Sequence, residues 1–390
     1  MINNQLKAVE LFAGIGGFRL GMANANIETI WANDLSKLSC QVYESNFGKG
    51  SIVLGDIDEI KTSDIPEHDI LTAGFPCQPF SAAGKKLGIK DQMRGTVFER
   101  IVKILAEKQP RYFLLENVKR MLTMQDGSHF RIILDALSSL DYFIEWRIIN
   151  PSSFGIPQNR ERVFIFGSRV DSNDSKILEL DKFSVFLTNK DNNLLPVAAQ
   201  EIEKIMQPII YSKGKNYNWG VAYKNSLYTQ QLITLFAEHQ ITKLKDILQD
   251  EFEVDNQFDF TADTIERIKE SKLVNRYCNG VEILYNQGGG ARLGYTIFGT
   301  NGIASTLTAS TSRHYERYKV GDKFRRLTNV EYARLMGFPD NWCRVARIYN
   351  QYALFGNAVV PVCVEWICKR IGQRNFEWSK QNWQQLSLAI

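Results

Sequence analysis

The sequence lacks any run of 18 apolar residues, any CxxC pair, and any basic N-terminal segment followed by an apolar core. The first absence argues against a membrane span and the last against a secretory signal, so we expect a cytoplasmic protein. Because the six cysteines are scattered over 390 residues, we expect neither a structural zinc site nor a disulfide framework. The net charge of +4 permits an anionic partner without indicating one.

The first 170 residues alternate short apolar segments with stretches of helical spacing. The predicted strands are Ala8–Phe12, Ile27–Trp31, Asp69–Ala73, Tyr112–Leu115 and Val163–Phe166, and helices are predicted at Thr96–Glu107 and Phe130–Leu140. This alternation predicts a mostly parallel sheet covered by helices. Ligands of such sheets bind beyond the carboxyl ends of the strands.

The alternation ends after Arg169, and we expect the polar stretch Ser168–Asn193 to cross to a second, smaller domain over residues 170–322. Within it we predict a helical stretch near Leu227–Leu248 and note a Gly-, Asn- and Thr-rich segment at Asn286–Ser312. Helical spacing returns at Thr328–Met336 and Val359–Ile371.

A glycine-rich turn, Phe12-Ala-Gly14-Ile-Gly16-Gly17, follows the first predicted strand. Glycines there allow a ligand to approach the backbone at a helix N-terminus, although Arg19 replaces the third glycine of a dinucleotide fingerprint. Asp34, at the end of the second strand, could accept from ribose hydroxyls, and Asp56 could accept from an adenine amino group. The alternative is a simple tight turn with two capping carboxylates.

A second segment, Gly74-Phe-Pro-Cys77-Gln-Pro-Phe-Ser81, follows another strand. Its two prolines predict a rigid loop that holds the Cys77 thiol in one place. A free thiol is only about 3% thiolate at pH 7, so a nucleophile here needs local activation. The alternative, a small buried side chain, is the expectation for Cys40, Cys363 and Cys368.

Charged residues mark two further strand ends. Glu116 ends an apolar strand, where it is either a cap or an acid whose burial raises its pKa. The segment Gln158-Asn-Arg160-Glu-Arg162-Val-Phe164 precedes a strand. Its guanidinium groups either form a solvated cluster or bind a carbonyl or phosphate at the same edge.

Taken in order, FAGIGG, GFPCQPFS, ENV and QNRERVF resemble the motifs of the DNA cytosine-5 methyltransferases. Arg325–Asp340 (RRLTNVEYARLMGFPD) and Gln351–Pro361 (QYALFGNAVVP) resemble the two C-terminal motifs of that family. The resemblance covers about residues 7–169 and 323–371. It implies that residues 1–169 and 323–390 form one catalytic and cofactor-binding domain, with a doubly wound, mostly parallel S-adenosylmethionine-dependent methyltransferase sheet. Residues 170–322 would form a smaller irregular target-recognition domain.

The resemblance also implies roles for individual residues. Cys77 would attack C6 of cytosine, Glu116 would bind or protonate N3, and Arg162, with Arg160, would hold the base and its backbone. The implied S-adenosylmethionine contacts are Phe12, Gly14, Gly16, Asp34, Asp56, Ile57 and Asn357. Leu35 departs from the family pattern, since many relatives have an aromatic residue there that stacks on adenine.

The region 276–326 is suited to binding DNA, because it carries eight basic residues against three acidic ones. Aromatic residues and the turn Gly288–Gly290 are interleaved with these charges. We expect Arg292 and Arg313 to include a base contact, and Lys319 and Lys323 to contact phosphates. Such contacts would supply the energy that flips the cytosine out of the duplex.

Three other functions remain open from the sequence: an RNA cytosine-5 methyltransferase, a catalytically inactive DNA-binding protein and a nicotinamide oxidoreductase. The middle segment favours DNA as the substrate, and the combination of Cys77, Glu116 and Arg162 favours activity. A monomer is expected, with a restriction endonuclease of the same specificity as a possible cellular partner.

Overall fold

The computed structural model describes residues 5–76, 97–170, 184–188, 191, 206–209, 215–232, 242–286, 296–309 and 316–373. These residues form a ten-stranded sheet and a five-stranded sheet. The large sheet contains β1 (Lys7–Leu11), β2 (Glu28–Asp34), β3 (Val53–Leu54), β4 (Ile70–Gly74), β5 (Tyr112–Val118), β6 (Tyr142–Ile149), β7 (Arg162–Arg169), β8 (Gln207–Pro208), β9 (Trp219–Tyr223) and β10 (Ser226–Gln230). The small sheet contains β11 (Lys272–Cys278), β12 (Val281–Asn286), β13 (Thr296–Phe298), β14 (Arg317–Val320) and β15 (Lys323–Arg325).

Strand order in the large sheet is β3-β2-β1-β4-β5-β7-β6-β9-β10-β8. The first five strands in this order pair in parallel. Strand β7 is inserted antiparallel between β5 and β6, so that β6 again runs in the direction of β5. This arrangement confirms the predicted doubly wound, mostly parallel sheet.

The described helices are α1 (Gly17–Asn24), α2 (Lys37–Phe47), α3 (Val97–Lys108), α4 (Ser128–Ser138), α5 (Ala262–Lys269), α6 (Asn329–Leu335), α7 (Ile348–Asn357) and α8 (361–373). The described 3-10 turns are Thr62–Asp64, Lys119–Leu122, Met124–Gly127, Pro151–Phe154, Leu244–Ile247, Glu251–Glu253 and Asn256–Phe258. Successive residues of β5 face opposite sides of the sheet, as the period of two requires. Leu114 therefore packs in the hydrophobic cluster on one side of the sheet. Phe113 and Leu115 pack in the cluster on the other side, which also contains the buried residues of α3.

The large sheet extends into the middle of the chain, because β9 pairs with β6 and β10 pairs with β9. The predicted helix at Leu227–Leu248 is therefore wrong at its start, where residues 226–230 form β10. Lys224 and Asn225 both have positive φ, at 44° and 58°, and they join β9 to β10 as a two-residue hairpin turn. The left-handed backbone of these two residues reverses the chain, so the apolar residues that follow pair with β9 as a strand and do not form the predicted helix.

The described part of the polar crossing segment is anchored on β6. The buried Glu145 carboxylate accepts from Ser184 Oγ at 2.6 Å and from Val185 N at 2.7 Å. Arg147 pairs with Asp191 at 2.8 Å, and both side chains are buried. Residues 184–191, where described, are thus held against the large sheet.

One helical stretch among the described residues, Ile348–Gln373, is long and apolar enough to cross a membrane by length and composition. It is divided into α7 and α8 by residues 358–360, and Pro361 begins α8. Sixty-seven per cent of its most apolar window is buried inside the protein. Val364, Ile367 and Ile371 of α8 are fully buried, so this stretch packs within the protein core.

Candidate active site

The carboxyl ends of β1, β2, β4 and β5 meet at one edge of the large sheet, because these strands are parallel. A cavity of about 850 Å³ opens there. Residues predicted for the cofactor and for catalysis both line it: Phe12, Gly14, Asp34, Asp56, Ile57 and Asn357, together with Glu116, Arg160 and Arg162. Leu35 also lines the cavity and is 68% exposed. Gly16 does not line it but precedes α1 with φ 87°, where its absent side chain leaves room for Phe47 and Tyr43.

The glycine-rich turn is fastened to the end of β2 by Asp34. Gly14 N donates to Asp34 Oδ2 at 2.8 Å, and Ser36 N donates to Oδ1 at 2.7 Å. Trp342 Nε1 donates to Ile15 O at 2.8 Å and fixes the turn from the C-terminal part of the chain. Since a carboxylate oxygen can accept more than one hydrogen bond, Asp34 can hold the turn and a ligand together.

A buried acid, Glu10, lies on β1 close to this turn. Its Oε2 accepts from Tyr43 Oη at 2.8 Å, while Oε1 has no hydrogen-bond partner among the described residues. Burial raises the pKa of Glu10 to about 8; the bond from Tyr43 and the charge of Arg19 oppose this effect, and the Asp34 carboxylate adds to it. A protonated Glu10 is consistent with the unpartnered oxygen. The sequence analysis missed this residue because it lies within an ordinary apolar strand.

The raised pKa of Glu10 predicts that stability falls as the pH rises from about 5 to 8. In this window folded Glu10 keeps its proton, whereas the unfolded chain loses it near 4.5, so folding takes up a proton. Urea unfolding of the wild type and of Glu10→Gln at several pH values measures the effect. Relative to the variant, the free energy of unfolding of the wild type should fall by on the order of 1 kcal/mol for each unit that the pH rises. Parallel stability curves for the two proteins would show that Glu10 does not bind the proton.

Glu116 and Arg162, the residues predicted for catalysis, line the cavity from the paired strands β5 and β7. Arg162 Nε lies 3.2 Å from Glu116 Oε1, and Glu116 is 8% exposed. Burial raises the pKa of Glu116, and the charges of Arg162 and Arg160 oppose the increase. This carboxyl group therefore stays protonated to higher pH than a solvated one and is held in one orientation.

The backbone just before Cys77 is held by Asn117. Asn117 Nδ2 donates to Phe75 O at 2.8 Å, and Asn117 Oδ1 accepts from Val118 N at 2.8 Å. Cys77 itself lies outside the described residues. The sequence analysis assigned no role to Asn117, although its place next to Glu116 in the ENV motif was a usable signal.

Arg160 lines the cavity, but its guanidinium group binds the protein backbone. Nη1 donates to Leu307 O at 3.0 Å, and Nη2 donates to Gly356 O at 2.8 Å and to Ala358 O at 3.0 Å. Burial lowers its pKa to about 9, an effect that the neighbouring Arg162 reinforces. Both terminal nitrogens thus bind backbone carbonyl groups, whereas Nε has no hydrogen-bond partner among the described residues, and a role of Arg160 in holding the base stays a prediction.

The four residues expected to contact DNA have different outcomes. Arg292 and Arg313 lie outside the described residues. Lys319 lies on β14 and is half-buried. Lys323, on β15, forms an ion pair with Glu251 at 3.1 Å, so a phosphate would have to compete with that carboxylate.

Comparison with known proteins defines the class to which this site belongs. The family model for C-5 cytosine-specific DNA methylase matches residues 6–373. The chain is 30% identical to the type II methyltransferase M.HhaI of Haemophilus parahaemolyticus over 370 residues, which cover 94% of this chain and 94% of that protein. It is 32% identical to the type II methyltransferase M.Sau3AI of Staphylococcus aureus over 393 residues, which cover 92% of this chain and 93% of that protein. The chain therefore belongs to the C-5 cytosine-specific DNA methylase family and is a DNA (cytosine-5) methyltransferase.

Two further matches are limited, the first in the length that it covers and the second in sequence identity. The type II methyltransferase M.NgoBI of Neisseria gonorrhoeae is 51% identical over 161 residues, which cover 41% of this chain and 50% of that protein. The crystal structure of S. pombe Dnmt2 methyltransferase has a TM-score of 0.61 at 18% identity and covers 94% of this chain and 98% of that one. At this identity, the structural match shows the fold alone.

Proposed function

We propose that the protein transfers a methyl group from S-adenosylmethionine to carbon 5 of a cytosine that is flipped out of a specific double-stranded DNA sequence. One observation carries the proposal: a single cavity joins the Asp34 and Asp56 carboxylates to the Glu116–Arg162 pair. The two aspartate carboxylates can accept hydrogen bonds from a nucleoside, and the Glu116–Arg162 pair can form hydrogen bonds with the polar edge of a pyrimidine. Phe75 and Pro76, which precede Cys77 in the chain, line the same cavity.

The residues of the cavity fit S-adenosylmethionine. The volume of the cavity lies within the range of ligand sites. The space beside Gly14 is open, since a Cβ there would meet no atom within 4 Å, so a ligand can approach the backbone of the turn before α1. Asp34 and Asp56 offer acceptors for hydroxyl and amino groups, and the apolar side chains of Phe12 and Ile57 offer contact area. When bound, the cofactor supplies an electrophilic methyl group.

The proposed chemistry begins with the Cys77 thiolate, which adds to C6 of the cytosine. Glu116 donates a proton or hydrogen bond to N3, so the electrons displaced from the C5–C6 bond are stabilised in the ring, and Arg162 orients the Glu116 carboxyl. C5 then forms a bond to the methyl group, and the electron pair of the broken S–CH3 bond would stay on the sulfur of the departing cofactor product as a thioether. Loss of the C5 proton to water or to a base that we leave unassigned re-forms the double bond and expels the thiolate, and any proton on N3 returns to Glu116.

The architecture suggests a recognition domain smaller than residues 170–322. Strands β9 and β10 belong to the large sheet, whereas β11–β15 form the separate small sheet and extend to Arg325. We therefore propose residues 242–325 as the main target-recognition unit. Arg292 and Arg313 remain our choice for base contacts and Lys319 for a phosphate contact, and Lys323 becomes a weaker candidate because of its bond to Glu251.

Asp34→Ala is expected to raise the KM for S-adenosylmethionine about tenfold while kcat changes less than about threefold. A contact to the ribose, far from the methyl group, binds the ground and transition states about equally. The matched control is Asp69→Ala, because Asp69 also accepts a backbone bond, from Lys7 N at 2.8 Å, but at the opposite edge of the sheet. A large loss of kcat at saturating cofactor would contradict the role of Asp34.

The proposal is tested by bisulfite sequencing of DNA from cells that express this chain and lack cytosine methylation of their own. We expect 5-methylcytosine at one position of a short recurring sequence. Methylated RNA with unmodified DNA would favour the RNA enzyme instead, and no methylation of either would favour an inactive DNA-binding protein. We further propose that the protein works as a monomer in a bacterial cytoplasm and protects DNA from a restriction endonuclease of the same specificity.

A further inference from the structure

Residues 299–309 leave the small sheet after β13 and lie along the motif that contains Arg160. Ala304 N donates to Pro157 O at 2.7 Å, and Asn159 N donates to Ala304 O at 2.8 Å. Residues 158 and 304 form an isolated parallel bridge. After the segment ends, the chain returns to the small sheet as β14, the parallel neighbour of β13. We call residues 303–309 the bridging segment.

Two buried side chains bind both polar backbone groups of Leu307 in this segment. Leu307 N donates to Gln158 Oε1 at 3.1 Å, and Leu307 O accepts from Arg160 Nη1 at 3.0 Å. Gln158 is fully buried and Arg160 is 2% exposed. Side chains thus replace the backbone partners that a neighbouring strand would provide.

The same two side chains extend the connection to the C-terminal motifs. Gln158 Nε2 donates to Leu335 O at 2.7 Å, at the end of α6. Arg160 Nη2 binds the carbonyl groups of Gly356 and Ala358, which flank the cavity residue Asn357. Packing here is close, since a Cβ on Gly356 would lie 2.5 Å from Thr308 O.

The start of the bridging segment is held equally well by the small sheet. Ile303 N donates to Gly280 O at 2.9 Å, and residues 281 and 303 form a parallel bridge. The preceding residues are held by Glu282, whose backbone O accepts from Gly299 N at 3.0 Å and whose carboxylate accepts from Asn301 N at 2.8 Å. One short segment therefore has hydrogen bonds to the small sheet at one end and to the cavity wall at the other.

We propose that Gln158 is a positioning residue that couples DNA recognition to methyl transfer, by fixing the bridging segment between the small sheet and the cavity. This inference rests on the proposed function, in which the small sheet reads the DNA. Gln158 does not line the cavity, so it acts through Leu307 and not on a ligand. Because small displacements of reacting groups cost large factors in rate, a bridging segment that loses its bond from Leu307 N and is held there by Arg160 alone lowers both turnover and discrimination.

The alternative is that Gln158 only stabilises the fold, as most buried and satisfied amides do. Gln351 offers a matched control for that role. It is also buried, its Nε2 donates to Ala346 O at 2.9 Å, and its Oε1 accepts from Asn329 Nδ2 at 2.9 Å. Neither of its partners belongs to the bridging segment.

The test compares Gln158→Met with Gln351→Met, since methionine keeps the approximate volume and removes the hydrogen bonds of the side-chain amide. Each purified variant methylates a library of duplexes with random sequence at saturating S-adenosylmethionine, and conversion sequencing gives the rate at the wild-type consensus and the share of methylation elsewhere. We expect Gln158→Met to lower kcat at the consensus at least tenfold and to raise the off-consensus share about threefold. Its Kd for S-adenosylmethionine should change less than twofold.

The control should lose a similar amount of Tm and leave the off-consensus share unchanged. If Gln158→Met matches the control in both rate and share, Gln158 is structural only and the inference is wrong. Should Gln158→Met fail to fold, Gln158→Asn, which is too short to reach both Leu307 N and Leu335 O, is judged by the same two quantities. Failure of the proposed function is recognised separately, because the wild type would then methylate no duplex in the library.

Discussion

Replacement of Cys77 by serine is expected to lower methyl transfer to DNA more than about a hundredfold, with the affinity for S-adenosylmethionine unchanged. A hydroxyl group is a far weaker nucleophile than a thiolate at neutral pH, and the thiolate acts on the base and not on the cofactor. Steady-state methylation of a duplex that carries the mapped target, together with calorimetric binding of the cofactor, measures both quantities.

Cys368→Ser is the control for Cys77→Ser, because Cys368 is a free thiol buried in α8 and does not line the cavity. The folded variant should keep wild-type kcat to within about twofold, although a buried hydroxyl group lowers its stability. Retention of more than about one per cent of activity by Cys77→Ser would be incompatible with covalent catalysis through this residue.

Replacement of Glu116 by glutamine is expected to lower kcat by roughly 10² to 10³, the usual contribution of a positioned acid. Glutamine keeps the shape of the side chain but cannot transfer a proton to N3. Because burial raises the pKa of Glu116, the wild-type rate should fall as the pH rises through that pKa and the acid form is lost. The variant should lack this limb of the pH–rate profile.

Glu161→Gln serves as the control for Glu116→Gln, since Glu161 is the neighbour of Arg162 in the QNRERVF motif but forms a partly exposed ion pair with Lys119 at 2.8 Å. Exposed pairs contribute at most about 1 kcal/mol, so its kcat should be close to that of the wild type. If Glu116→Gln kept kcat within threefold, the acid that assists the base would have to be another group.

The sequence predicted the position of the cavity because its motifs follow strands. The turn after β1, Asp34 at the end of β2, the residues after β4 and Glu116 on β5 had to meet at one edge once the strands were parallel. That inference needs only local patterns and one rule of topology. The predicted position of the cavity is confirmed for the residues that the structure describes. The roles of the individual side chains stay predictions.

The interactions that the sequence could not reveal join distant parts of the chain. An arginine in QNRER carries no signal of whether it binds a base or the backbone of Leu307, which is 147 residues away. The bond from Trp342 to Ile15 spans 327 residues. Likewise, the strand at Ser226–Gln230 depends on pairing with β9, and helical spacing alone gave the wrong interpretation there.

The central claim, a covalent bond between Cys77 and the target cytosine, is tested most directly with 5-fluorocytosine. A duplex with this base at the mapped position is incubated with the protein and S-adenosylmethionine, denatured, digested and analysed by mass spectrometry. Fluorine cannot leave C5 as a proton does, so we predict a denaturant-stable, methylated complex linked through the peptide that contains Cys77. A protein that methylates the ordinary duplex yet gives no such complex, or one linked through another residue, would contradict the mechanism.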